Sequence, residues 1–397
     1  MSVQVCNPYR QIEILQQALV SDKSKIGFLL GAGCPVSILI KNGDKEDRLI
    51  QDVEGLTKEI CGTLADKSID KIIGRIQLPE NLKATIEDIL SHIRLLIEVV
   101  GKGEIDNFKK EDLEELEKEI CNQITNAVSK ELPENETPYH QLALWISGIR
   151  RNNAVEIFTP NYDLLIESAL ESKNIPFFDG FIGSRKAFFD LHSIERESLP
   201  SRWVKLWKLH GSINWWRDIN GNIFRGYSKP GENKQMIYPS HLKYEESRRM
   251  PYYAMQDRLG HFLATGQAVL VTCGYSFVDK HLNAIILERL SANPWAICFA
   301  LLHSSLEKYP KALDCAKKTT NLTLIGKNGA FVGGQRMNWN TDGCLGTDYS
   351  YCVEKEKAGD GTETIMGFKL GDFQILGKFL LNQIGYNPTN EESGHAN

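Results

Sequence analysis

Hydrophobic positions along the chain fall into two kinds of run. Short, largely apolar stretches at Ile26–Leu30, Val155–Phe158, Val204–Leu209, Ala268–Cys273, Ala296–Leu302 and Leu322–Ile325 predict strands, and the continuous ones fit strands covered on both faces. Helix-compatible segments such as Tyr162–Ser172 and Asp279–Ser291 lie between several of them, and Ile12, Leu15 and Leu19, spaced by three and four, mark a helix over Tyr9–Val20. Alternation of this kind predicts an α/β fold, a Rossmann-like, mostly parallel sheet with helices on both faces.

From about Lys41 to Arg151 the pattern changes. Ile86, Leu90, Ile93 and Ile97, then Leu113, Leu116, Ile120, Ile124 and Val128, repeat at helical spacing on either side of the polar stretch Gly101–Asn107. We read four segments: 1–40 as the first part of the sheet domain, 41–151 as a helical insertion, 152–330 as the rest of the sheet domain, and 331–397 as an extension. Gly326–Gly371 is Gly-rich and mixed, without the strict alternation that would establish hairpins. Phe373, Leu376, Phe379, Leu380 and Ile384 then predict one terminal helix, and the polar tail Asn387–Asn397 is expected to fray.

Composition narrows the class. A chain of 397 residues, 42% hydrophobic and 24% charged, has the make-up of a folded globular protein of two or three domains at roughly 150 residues each. With 46 Lys+Arg against 51 Asp+Glu the net charge is −5, which gives no general attraction to phosphate backbones; no direct nucleic-acid binding is expected. The first twenty residues lack the succession of a signal peptide. The longest apolar stretch, Gly27–Ile40, is broken by Gly and Pro and too short to span a bilayer, so the chain reads as cytoplasmic, with no membrane partner. Nine cysteines without a Cys-x-x-Cys pair argue against a disulfide framework and a structural zinc site.

Four strand ends share one grammar: an apolar run, then Gly or Asn, then polar residues. Gly31-Ala32-Gly33 follows the first run, with Pro35 suited to the first turn of a helix after it, and lets backbone approach a ligand or serves only as a tight turn. The third glycine of a dehydrogenase fingerprint is missing, since Val36 stands there, and a helical insertion follows where a second strand ending in an acidic residue would be needed. Thr159-Pro160-Asn161-Tyr162-Asp163 follows the second run; Asn161 and Asp163 fit either a ligand or a helix cap. Lys208-Leu209-His210-Gly211-Ser212 puts an imidazole at a strand-to-glycine transition, where it faces a cleft or fills a structural role. Thr272-Cys273-Gly274-Tyr275-Ser276-Phe277-Val278-Asp279 offers Gly274 and Ser276 to a phosphate or ribose, with Asp279 as a helix cap. In one parallel sheet all four would open on the same edge, and their conjunction is stronger than any one of them.

Taken in order, these motifs resemble the sirtuin fold family, and TPNYD, KLHGS and CGYSFVDKHL are similar to the sirtuin-like domains of bacterial anti-phage defence proteins, over about residues 26–330. Ile86-Glu87-Asp88-Ile89-Leu90-Ser91 in the insertion is similar to the same subgroup. The resemblance implies NAD+ as substrate, held across the sheet edge, and cleavage of its nicotinamide–ribose bond. Gly31, Ala32 and Gly33 would cradle the phosphates, and Gly274 with Ser276 the adenosine half. Asn161 and Asp163 would grip the ribose and order water, and His210 would be the general base. Ser37, Thr159 and Tyr275 complete the expected contacts.

Protein-deacylating sirtuins carry a small domain stapled by a four-cysteine zinc site. That cysteine pattern is absent here, so no zinc-binding small domain and no metal are expected, and water becomes the acceptor. The reading is an NAD+ glycohydrolase that depletes NAD+ during abortive infection, with homo-oligomers and a HerA-type hexameric ATPase as implied partners. The alternatives are a module that senses NAD+ or ADP-ribose without turnover, and a protein-lysine deacylase.

Overall fold

Strand pairing in the computed structural model follows the apolar runs. The structure describes residues 4–43, 45–64, 69–76, 84–105, 107–196, 199–218, 220–226, 233–236, 250–340, 349–357 and 363–385. A ten-stranded sheet runs in the order Val5–Cys6, Gln335–Trp339, Gly329–Val332, Leu322–Gly326, Ala296–Leu301, Ala268–Cys273, Lys25–Leu30, Val155–Thr159, Val204–Lys208, Phe177–Phe178. Every neighbouring pair is parallel except the two made by Gly329–Val332. Taken in chain order, the six long parallel strands stand side by side as 6-5-4-1-2-3. This is the doubly wound order: the chain starts mid-sheet, fills one side, then crosses back to fill the other. The reversal falls between Lys25–Leu30 and Ala268–Cys273.

The pleat sorts side chains onto two covered faces. Ile26, Phe28 and Leu30 join a core closed by the helices Pro8–Val20, Pro138–Gly148, Leu165–Ser172 and Phe373–Gln383. Leu29, Phe158 and Leu270 join the opposite core under Tyr252–Ala264, Lys280–Ala292 and Pro310–Ala316. Phe28 meets Trp145 edge-on at a centroid distance of 5.5 Å; each such fully buried aromatic contributes about 1.5–3 kcal/mol. The α/β class, with a mostly parallel sheet and helices on both faces, is therefore as the hydrophobic pattern predicts.

The insertion has a core of its own, built from Leu56, Ile60, Ile89, Leu90, Ile93, Leu113, Leu116 and Ile120 among others. Its helix Ile86–Val100 starts at a reciprocal cap: the Asp88 N–H donates to Thr85 Oγ1 (3.3 Å) and the Thr85 N–H to Asp88 Oδ2 (2.9 Å). The Ile86–Ser91 segment that carried part of the resemblance thus opens a capped helix.

Three sequence expectations are modified. Pro138–Gly148, placed in the insertion by the range 41–151, packs Tyr139, Leu142, Ala143 and Trp145 into the main core instead. Helical periodicity cannot tell which core an apolar stripe will face. The helix expected after Gly31-Ala32-Gly33 is a single turn, Gly33–Val36, and the chain then enters the hairpin Leu39–Asn42/Lys45–Arg48. The extension is no separate body, since Gly329–Val332 and Gln335–Trp339 widen the main sheet and Phe373–Gln383 packs on Pro138–Gly148. The tail Asn387–Asn397 lies outside the described residues. Among the described residues no helix is long and apolar enough to cross a membrane.

Candidate active site

Four neighbouring parallel strands, Ala268–Cys273, Lys25–Leu30, Val155–Thr159 and Val204–Lys208, carry the four motifs at their carboxyl ends. In an open α/β sheet ligands bind beyond those ends, at the point where strand order reverses. Here the reversal separates Gly31 from Gly274.

The two glycine turns interlock across it. The Gly31 N–H donates to the Cys273 carbonyl and the Gly33 N–H to the Gly274 carbonyl, each at 2.9 Å. A Cβ at Gly31 would lie 2.3 Å from the Gly274 oxygen, and one at Gly274, where φ is +66°, would lie 2.5 Å from the Cys34 nitrogen. Close backbone approach between the loops therefore requires glycine whatever is bound. Gly31 is buried; Ala32 and Gly33 are exposed.

Asn161 ties the next loop to this pair. Its Nδ2 donates to the Gly31 carbonyl (3.1 Å) and its N–H to Thr159 Oγ1 (3.1 Å), while that hydroxyl donates to the Leu30 carbonyl (2.7 Å). Thr159 is thus a buried bracket between strands. The half-buried Asn161 keeps Oδ1 without a hydrogen-bond partner among the described residues.

His210 closes the circuit. The Leu209 N–H donates to the Thr159 carbonyl (2.8 Å) and the Ile213 N–H to the Tyr162 carbonyl (3.1 Å), so His210 runs beside Asn161. Its Nε2 lies 3.0 Å from Asp279 Oδ2, with both side chains largely buried. Asp279 belongs to the loop that began at Gly274. The contacts form one ring: Asn161 to Gly31, Gly33 to Gly274, Asp279 to His210, and the His210 segment back to the Asn161 loop.

Other expected residues turn away from the ring. Asp163 is buried, and its Oδ1 accepts the Leu165 N–H (3.1 Å) at the start of Leu165–Ser172, the capping role left open above. Burial pushes its carboxyl above the ordinary carboxylate range, Glu167 adds to this, and Lys208 opposes it. Tyr275 points into the core, its hydroxyl donating to Asn283 Oδ1 (2.7 Å). Ser37 donates to the Cys34 carbonyl (2.7 Å), ending the short turn it follows. Ser276 is exposed.

Two functional groups were missed. Asp279 was read only as a cap, yet one of its oxygens caps and the other meets His210. Lys208 is 1% exposed, pairs with Glu167 at 3.2 Å and donates to the Asp163 carbonyl. A lysine two residues after Leu206 and four after Val204, on the strand face those two apolar residues share, was the available signal.

Fold and ring together define an α/β protein of the doubly wound class with a ring of polar side chains and glycine turns at its switch point. Residues 155–325 match the family model described as the SIR2-like domain, which covers the Asn161, His210 and Gly274 loops and leaves Gly31-Ala32-Gly33 outside. No curated protein matches the chain. Among solved structures, one described as "Structural Basis for the Mechanism and Regulation of Sir2 Enzymes" is 11% identical, covering 82% of this chain and 93% of its own at a TM-score of 0.38. An NAD complex of a Sir2 homologue is 14% identical over 75% and 86% of the two chains (TM-score 0.33). A mutant Sir2 homologue with ADP-ribose is 14% identical over 75% and 88% (TM-score 0.33). At such scores these are likenesses only, and the architecture rests on the strand order itself. No cluster of His, Cys, Asp and Glu able to hold a metal occurs among the described residues.

Proposed function

We propose that the chain binds NAD+ across the switch point and hydrolyses its nicotinamide–ribose bond. The observation that carries the reading is the ring itself: the carboxamide and imidazole lie on adjacent loops, tied to the two glycine turns at the place where a doubly wound sheet takes its ligand. The SIR2-like match over 155–325 supports the choice of dinucleotide.

The residues fit that substrate. Exposed Ala32 and Gly33 leave backbone room for a pyrophosphate, and exposed Ser276 offers a hydroxyl to the adenosine half. Nicotinamide in oxidised NAD is cationic and departs with the bonding electrons as a neutral molecule, leaving an oxocarbenium-like ribose that needs little acid help. The protein's work is to hold the dinucleotide and place water. Asn161 Oδ1 orients the water, and as its oxygen bonds to C1′, His210 takes the proton it sheds, directly or through a ribose hydroxyl. Asp163 serves this from below, fixing the loop through its helix cap.

In the wider reading carried by the motif resemblance, this is an NAD-depleting effector of anti-phage defence in the cytoplasm, assembled as a homo-oligomer and engaged by a HerA-type hexameric ATPase. The test is nicotinamide release by purified protein, alone and with candidate activating ATPases. Asn161→Ala and His210→Ala are each expected to lower turnover by about a hundredfold or more while the melting curve stays cooperative. Turnover at the wild-type rate in both variants refutes the assignment, and NAD+ binding without nicotinamide release would mark a receptor instead.

A further inference from the structure

The contact that closes the ring is also the one with the clearest chemical consequence. Asp279 is anchored three ways. Its Oδ1 accepts the His281 N–H (2.9 Å) and the Leu282 N–H (3.1 Å) as the cap of Lys280–Ala292. Its loop is pinned by Asn283, whose Nδ2 donates to the Phe277 carbonyl (2.7 Å) and whose Oδ1 accepts the Tyr275 hydroxyl (2.7 Å). Phe277 sits at φ +59°, a conformation a bulky side chain adopts only when its surroundings enforce it. That turn buries Tyr275 and Phe277 against each other (centroids 4.8 Å apart) and leaves Ser276 and Val278 outside. Oδ2 is thereby held at one position, 3.0 Å from His210 Nε2.

We propose that Asp279 is the positioning residue of His210, fixing the ring so that Nε2 carries the proton and Nδ1 is the accepting nitrogen. This deepens the hydrolase reading and rests on it for its catalytic part. A carboxylate oxygen 3.0 Å from Nε2 favours the ring tautomer that carries its proton there, which leaves the lone pair on Nδ1. No described residue hydrogen-bonds Nδ1. During cleavage the water O–H bond breaks as its oxygen joins C1′, the electrons of the C1′–N bond leave with nicotinamide, and the proton passes to Nδ1. The imidazolium so formed faces the Asp279 carboxylate across the same 3.0 Å contact. With both side chains largely withdrawn from water, the pairing also keeps the ring from rotating.

Asp279→Asn separates this role from the cap. The His281 and Leu282 N–H groups demand an acceptor, so the variant's amide oxygen takes the place of Oδ1 and its NH2 faces the ring. Asn caps a helix about as well as Asp. The imidazole must then accept at Nε2 and carry its proton on Nδ1, the wrong tautomer for the base.

Two measurements on the full chain test it. In nicotinamide release under activating conditions, Asp279→Asn should lose on the order of 10²–10⁴ in kcat with KM unchanged. In ring 15N spectra of histidine-labelled protein, assigned with His210→Gln, the His210 signal should move from the Nε2–H to the Nδ1–H tautomer, with the melting temperature retained. Wild-type kcat in Asp279→Asn, or the same tautomer in both proteins, overturns the proposal. The tautomer measurement needs no turnover: if the wild type releases no nicotinamide under any condition, the hydrolase reading fails, while the spectra still decide whether Asp279 sets the ring.

Discussion

Lys208 offers a sharp test of the architecture beneath the ring. Its side chain is 1% exposed, its ammonium lies 3.2 Å from Glu167 Oε1, and it donates to the Asp163 carbonyl. Glu167 is itself buried, and its Oε2 has no hydrogen-bond partner among the described residues. Lys208→Met keeps length and apolar contact but strands the Glu167 carboxylate and the Asp163 carbonyl. Breaking a buried pair from one side costs about 3–5 kcal/mol, because the remaining charge is desolvated and unpaired. At about 2 °C per kcal/mol for a cooperative unit of this size, the melting temperature should fall by roughly 6–10 °C. Removing both partners is far cheaper, so Lys208→Met/Glu167→Leu should recover most of the loss. Calorimetry on the wild type, both single variants and the double variant closes the cycle. A single variant within about 1 kcal/mol of wild type, or a double variant no better than Lys208→Met, would refute the claim that this pair is buried and mutually dependent.

Two further outcomes follow from local geometry. Gly274→Ala combines a left-handed φ of +66° with a Cβ 2.5 Å from the Cys34 nitrogen, whereas Gly221→Ala meets φ +85° and open space. Denaturant unfolding should show the first costing on the order of 3 kcal/mol or more and the second about 1–2, and equal costs would mean the glycine turns do not interlock. His140 Nδ1 accepts the Thr137 N–H (3.2 Å), and burial, with Lys173 adding and Glu136 opposing, lowers its pKa from 6.5. The unfolded chain therefore takes up a proton that the folded one refuses, so stability is level above the ordinary histidine range and declines as pH falls through it. His140→Gln should flatten that decline in melts taken across pH, and an unchanged slope would assign it elsewhere.

What could be read from the sequence was what depends on near neighbours along the chain. Buried parallel strands are continuous apolar runs because both faces are covered, and Val155–Thr159 and Ala268–Cys273 are buried at every position. The polar turns at their carboxyl ends, opened by Asn161 and by Gly274, were equally plain. Strand order was not, because nothing local to Ala268–Cys273 says that it returns to lie beside Lys25–Leu30. Nor was the direction in which polar residues face. Asn161 and Asp163 stand two apart on one turn, yet one reaches the Gly31 carbonyl and the other a helix start in the interior. Tyr275 and Ser276 part in the same way because Phe277 takes a left-handed conformation, which no propensity for phenylalanine anticipates. Asp279 carried a correct but incomplete signal: capping accounts for one oxygen, and the partner of the other lies on a different strand end.

Stability and chemistry share a residue at this edge, and the sharing can be separated. Lys208 lies two residues before His210 on the same strand end, and its hydrogen bond to the Asp163 carbonyl fixes the far side of the Asn161 turn. This side chain thus adds a third tie, beside the Leu209 and Ile213 backbone hydrogen bonds, between the loop that carries the imidazole and the loop that carries the carboxamide. Lys208→Met/Glu167→Leu removes the unpaired charge, so the melting temperature returns, but it does not replace the tie to the Asp163 carbonyl. If geometry at the ring governs turnover, the double variant should melt near wild type and still release nicotinamide about tenfold or more below it, since a misplacement of about 1 Å costs on the order of a hundredfold. Recovery of both together would mean that the Asn161 turn holds its shape without Lys208, and that the buried cation serves stability alone.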